Sequence, residues 1–260
     1  MHPIICVLGK KDTGKTSLAE RVISYLVERK IKVAAAKHTS HKIELDKEGT
    51  DSYRFQKAGA NPVILFSAEK TAIYISDHTR LNSIEDIEKN ITTPVDVLVL
   101  EGFSEIVQKN SRVAKIICYT EREQLQEYFN TVSPPILGYY SYNSVEEKDR
   151  FYELMRRVEN YIEEFKTVYN FYKLLPRLDC LKCGCTCFEM AERIYKKEKD
   201  LSDCPAISEG TSKLEIVVKG VNIPLKSFPA KIIRKTVIAL ISTLKQVDEN
   251  LDGKITINIS

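Results

Sequence analysis

Short apolar runs recur along the first half of the chain, with polar or amphipathic stretches between them. Residues 4–8, 31–36, 63–66, 72–75, 95–100, 114–119 and 136–140 are dense in Val, Ile, Leu, Ala and Tyr. Runs of this length, bounded by Gly, Pro or charged residues, read as buried strands. Residues 16–30 instead place Leu18, Val22, Ile23 and Leu26 on one helical face. Strands alternating with helices predict an α/β fold with a mainly parallel sheet covered on both faces.

The pattern changes twice further on. Within 143–178, Phe151, Leu154, Met155, Val158, Ile162 and Phe165 recur at helical spacing in a charged background. That segment reads as a helix packed on the sheet, and Pro176 marks its end. Beyond it, 214–218 and 221–225 flank Lys219-Gly220 as a hairpin would. Residues 229–247 form an amphipathic pattern, and 254–259 alternate like a last strand. The expected organisation is a nucleotide-binding domain over 1–142, a helical connector over 143–178 and a small α+β domain over 179–260.

Composition narrows the partners. The chain has 260 residues and a formal net charge of +3, so there is no electrostatic case for nucleic acid or an anionic membrane. No apolar run approaches bilayer-spanning length, and the apolar start lacks a signal-peptide pattern. A cytoplasmic protein is the expectation.

The first apolar run leads into Gly9-Lys10-Lys11-Asp12-Thr13-Gly14-Lys15-Thr16, which satisfies G-x-x-x-x-G-K-[ST] between a strand and a helix. Glycines let backbone N–H groups turn inward around phosphates, and the helix N-terminus adds positive potential. Gly9, Lys10, Asp12, Thr13, Gly14, Lys15, Thr16 and Ser17 are therefore candidate nucleotide contacts. Lys15 is expected at the β- and γ-phosphates and the Thr16 hydroxyl on Mg²⁺. Residues 95–100 end in Glu101-Gly102. Parallel strands present their C-terminal ends to the ligand crevice, which makes Glu101 the second Mg²⁺ ligand. Lys15 and Glu101 are the candidate catalytic residues. Lys37 and His38 follow the second strand, reach the same edge, and are candidates for phosphate or an anionic substrate. The expected fold is P-loop NTPase-like. The residues themselves leave the base, GTP or ATP, open.

Three stretches in order, GKKDTGKTSL, KHTSHKIELDKEGTDSYRFQKAGA and DVLVLEGF, resemble the molybdopterin-guanine dinucleotide biosynthesis protein B (MobB) family. The middle stretch is the most diagnostic. The resemblance implies a dimer that binds GTP with Mg²⁺, hydrolyses it weakly, and assists the guanylyltransferase that attaches GMP to molybdopterin. Molybdopterin itself or a molybdoenzyme is a further implied partner. Lys37, His38, Asp46 and Asp51 fall in the middle stretch, with Asp51 a further Mg²⁺ candidate.

Five of the seven cysteines, Cys180, Cys183, Cys185, Cys187 and Cys204, crowd one segment. In a reducing compartment such crowding suggests a metal more than disulfides. Cys6 and Cys118 lie in apolar runs and read as buried hydrophobes. Four thiolates suit an iron–sulfur cluster or structural Zn²⁺. The block CLKCGCTCFEMAERIYKKEKDLSDCP resembles the small [4Fe–4S] module of corrinoid iron–sulfur proteins, with one residue fewer after Cys-Gly. Counting back from the helix makes Cys180, Cys183, Cys187 and Cys204 the ligands, with Cys185 the alternate. Two other functions fit the same residues: a metallochaperone or cluster-insertion NTPase, and a redox-responsive nucleotide-binding adapter without significant catalysis.

Overall fold

The computed structural model describes residues 1–39, 46–76, 82–142, 147–208, 216–218, 221–223 and 227–241. The chain divides into two compact units, Met1–Tyr161 and Ile162–Ser260.

In the first unit, β1 (Ile4–Gly9) leads through the glycine loop into α1 (Lys15–Glu28), and β2 is Val33–Lys37. Next come α2 (Asp51–Lys57), β3 (Val63–Phe66), β4 (Thr71–Tyr74) and α3 (Ile84–Glu88). They are followed by β5 (Val97–Glu101), α4 (Ser104–Val107), β6 (Val113–Cys118), α5 (Glu123–Thr131) and β7 (Ile136–Tyr140). The long helix α6 (Glu147–Leu174) begins here.

Five strands form one sheet in the order β2-β5-β1-β6-β7, and every pairing is parallel. β1, β5 and β6 are buried along nearly their whole length, as expected of strands covered on both faces. Ile4, Cys6, Leu8, Leu98, Leu100 and Ile117 join α3 and α5 side chains in one core cluster. Leu18, Val22 and Leu26 of α1 are fully buried. Phe151, Leu154, Met155 and Val158 of α6 are buried too, so that face follows its sequence periodicity. Cys6 and Cys118 are buried among these apolar residues.

β3 and β4 depart from the sequence expectation. They do not join the parallel sheet but pair with each other, antiparallel. The cause is local: Ser67 accepts from Lys70 N–H and its own N–H donates to the Lys70 carbonyl, closing a turn too short for a parallel crossover. Ile64, Leu65, Phe66 and Ile73 of this ribbon are exposed.

The second unit contains the C-terminal part of α6, then α7 (Cys187–Tyr195), a 3-10 turn (Leu201–Asp203) and α8 (Pro205–Ser208). β8 (Ile216–Val218) and β9 (Val221–Ile223) form an antiparallel hairpin, and α9 is Ser227–Ile241. Val168, Leu175, Met190, Ala191 and Ile194 pack with Cys185, Cys187 and Cys204 in its core. The strand expected over 254–259 lies outside the described residues.

Candidate functional site

The glycine loop occupies the C-terminal end of the sheet, where β1 hands over to α1. Gly14 caps α1 in the left-handed region (φ 83°), and no side chain caps the helix. First-turn amides left without a capping side chain suit an anion. Gly14 is also required sterically: a Cβ there would lie 2.5 Å from the ring of Tyr142. Asp12 takes a left-handed φ of 60°, which a short polar side chain tolerates. Thr13 is buried and donates to the Lys10 carbonyl (2.9 Å), and Lys15 Nζ donates to the same carbonyl at 2.5 Å. Lys15 thus lies across the loop mouth. Lys10 itself faces outward and pairs with Glu127 at 2.7 Å. Ser17 is exposed on the first turn of α1.

Next to the loop, Thr16 Oγ1 donates to Glu101 Oε1 at 2.8 Å. β2 runs beside β5 with Lys37 in register with Glu101, and Lys37 Nζ lies 3.0 Å from Glu101 Oε1 and 3.0 Å from Thr16 Oγ1. These three groups border an open groove of about 180 Å³, whose other walls include Glu20, Ile23 and Ala35. Gly102 (φ 86°) lets the chain turn under the His38 carbonyl, 2.8 Å from where a Cβ would sit. His38 N–H donates to the Glu101 carbonyl (2.9 Å), and its ring packs on Phe103, centroids 5.3 Å apart. His38 therefore buttresses the Glu101 turn. Asp51 opens α2 and makes an exposed ion pair with Arg54 at 3.6 Å; the structure does not bring it to Thr16. Asp46 accepts from Thr50 and Gln56 (3.2 Å each), holding the approach to α2.

Tyr142, against Gly14, carried no functional signal in the sequence, because the contact spans the length of the domain. Burial pushes its phenol up. Arg21, the α1 arginine, is held by Glu147 and Tyr140. Burial pushes the Cys118 thiol up to about 12, so it stays protonated and packs as a hydrophobe.

The second candidate site is the cysteine segment. All five cysteines there are free thiols and line one recess, walled also by Leu175, Leu178, Leu181 and Met190. Cys180 is exposed, Cys183 half-buried, and Cys185, Cys187 and Cys204 are buried. Cys183 and Cys185 Sγ are 3.6 Å apart, so Cys185 shares the recess with the expected ligands. Among the described residues no three His, Cys, Asp or Glu side chains converge tightly enough to hold one metal ion. Thr186 and Glu189 form a capping box on α7, with Cys187 at its first position. Cys187 Sγ accepts from the Asp179 N–H (3.4 Å), and Cys187 N–H donates to Asp179 Oδ1 (2.7 Å). Burial pushes the Cys185 and Cys187 thiols up, so a thiophilic metal must displace their protons. By donor type, soft sulfur in an apolar wall suits a thiophilic centre and not Mg²⁺.

The family model for Molybdopterin guanine dinucleotide synthesis protein B matches residues 4–137. The chain belongs to this family. A Methanocaldococcus jannaschii protein named "Putative molybdopterin-guanine dinucleotide biosynthesis adapter protein" is 30% identical over 259 residues, covering 99% of this chain and 98% of its own. The Escherichia coli molybdopterin-guanine dinucleotide biosynthesis adapter protein is 32% identical over 123 residues, 46% of this chain and 67% of that protein. The crystal structure of Bacillus subtilis MobB is similar over 56% of this chain and 82% of its own, at 26% identity and a TM-score of 0.44. The MobB match spans the glycine loop, Lys37 and Glu101. A second model, described as "Putative Fe-S cluster", matches residues 175–206 and spans all five clustered cysteines. Likeness to the M. jannaschii protein runs through both MobB and cysteine segments. No helix among the described residues is long and apolar enough to cross a membrane.

Proposed function

We propose that this MobB-family chain is a cytoplasmic GTP- and Mg²⁺-binding adapter that assists a guanylyltransferase in attaching GMP to molybdopterin. Its cysteine segment carries an iron–sulfur cluster in this reading, of the [4Fe–4S] type. The observation that carries the nucleotide assignment is the Thr16–Glu101 oxygen pair, 2.8 Å apart beside an uncapped helix N-terminus. Octahedral Mg²⁺ holds its oxygens at about 2.0–2.1 Å, which sets neighbouring ones about 2.9 Å apart. The oxygen pair fits that ion, whose chemistry when bound is to neutralise charge on the β- and γ-phosphates.

The remaining roles belong to the chain. The loop amides from Asp12 to Ser17 receive phosphate oxygens. Lys15 exchanges its bond with the Lys10 carbonyl for the phosphates. Lys15 and Glu101 then support slow GTP hydrolysis. Slow turnover suits an adapter, and Arg21 is already committed to Glu147 instead of the γ-phosphate. Homodimerisation completes the proposal, with the exposed apolar side chains of the β3–β4 ribbon as the surface a second copy would cover.

The test is anaerobic purification with iron and sulfide analysis, followed by titration of GTP and ATP in Mg²⁺. GTP preference with micromolar or tighter affinity is expected, with at least a hundredfold loss in Lys15→Ala. ATP preference would sink the GTP assignment, and zinc without sulfide would sink the cluster.

A further inference from the structure

Lys37 was a candidate for an incoming anion, yet its ammonium is already engaged. Nζ lies 3.0 Å from Thr16 Oγ1 and 3.0 Å from Glu101 Oε1, and these are the two oxygens proposed for Mg²⁺. A lysine cation therefore sits against both protein ligands of the metal. Mg²⁺ at about 2.0–2.1 Å from those oxygens would lie within a few ångströms of the ammonium, where like charges repel strongly. The two cations exclude each other.

The surroundings give the exchange a direction. Lys37 is held opposite Glu101 by the register of two paired strands, so its placement does not depend on a loop. The Glu101 side chain is 12% exposed while that of Lys37 is 55% exposed. A carboxylate so enclosed needs a cation beside it, whereas the lysine ammonium can leave for water at little cost. Mg²⁺ also gives up bound water reluctantly and is usually held together with substrate phosphates. Protein oxygens alone, with an ammonium to evict, form a poor site for the free ion. A triphosphate in the loop changes the balance: it adds oxygens for the metal and an anion to receive the displaced lysine.

We propose that Lys37 is a built-in counter-cation that closes the Mg²⁺ position to free metal and yields it only when a nucleotide brings the ion. The inference rests on the nucleotide reading above. It makes Lys37 a positioning residue that moves between the metal ligands and the phosphate end of the ligand.

Mn²⁺ binding to the full-length protein, followed by the electron paramagnetic resonance of free Mn²⁺, tests the idea. Without nucleotide, the wild type and Lys37→Arg should take up no Mn²⁺ at concentrations that saturate the GTP complex. Lys37→Met should bind Mn²⁺ at least tenfold more tightly than the wild type, and adding Thr16→Val should abolish that gain. Thermal unfolding should show Mn²⁺ stabilising Lys37→Met but not the wild type. Lys37→Gln serves if the Met variant does not fold. With GTP present, the wild type should bind the ion. Equal nucleotide-free affinities in the wild type and Lys37→Met, with normal Mn²⁺ uptake alongside GTP, would overturn the inference and leave the nucleotide reading standing. No uptake by the wild type with GTP would overturn both.

Discussion

Lys115 is a lysine in the middle of β6 with no solvent exposure. Its ammonium is satisfied by the carbonyls of Asn110 (2.5 Å) and Ser133 (2.9 Å), so it ties together the loops entering β6 and β7. Burial still lowers its pKa from 10.5 to about 8. Between those values the unfolded chain binds a proton that the folded chain has released, and stability must rise with pH. Wild-type stability relative to Lys115→Met should accordingly increase by about 3 kcal/mol between pH 7 and pH 10.5, measured by urea unfolding. A constant difference across that range would show that the ammonium stays charged inside the fold. Single residues were legible in the sequence where the chemistry is contiguous. Gly9 to Thr16 fall within one motif, and Glu101 follows from ending a strand. The engagement of Lys37 was not legible, because it depends on β2 lying next to β5. Tyr142 against Gly14 was hidden for the same reason: the sheet order brings them together, and no local pattern records it.

Elements were read well where one face is buried and less well where partners decide the outcome. The sheet strands followed from short continuous apolar runs, and α1 and the apolar stripe of α6 from helical periodicity, since burial imposes both. The sequence located β3 and β4 but gave no sign that they leave the sheet. Apolar content alone does not distinguish a covered strand from one in an exposed ribbon. In α7 the decisive signal is the cap. Thr186 accepts from Glu189 N–H at 3.2 Å, and Glu189 accepts from Thr186 N–H at 2.7 Å. Thr186→Ala should cost about 1 kcal/mol in chemical denaturation of the metal-free protein. Unchanged stability would mean that the apolar packing of α7 holds it without the cap.

At the scale of the molecule, two family matches fall on different parts of the chain: residues 4–137 and 175–206. The glycine-loop stretch with its two companions made the first visible, and the cysteine spacing the second. The proposed assembly was visible only through resemblance, since nothing in the ribbon's sequence says what covers it. Phe66 is 74% exposed, an unusual position for so large an apolar ring. If a second copy covers the ribbon, Phe66→Asp with Ile73→Asp should convert a dimer to a monomer in sedimentation analysis and leave the affinity for GTP within threefold of the wild type. A wild type that sediments as a monomer at micromolar concentration would remove the ribbon's role in assembly.

The capped helix at Cys187 also bears on the recess it borders. Its hydrogen bonds and its apolar neighbours, Val168, Leu175, Met190 and Ile194, all come from the polypeptide. The cap therefore fixes where α7 begins and so sets the place of Cys187 on the wall of the recess. If the proposed cluster is present, it would meet at least one thiol whose position along the chain is set by backbone hydrogen bonds and not by the metal.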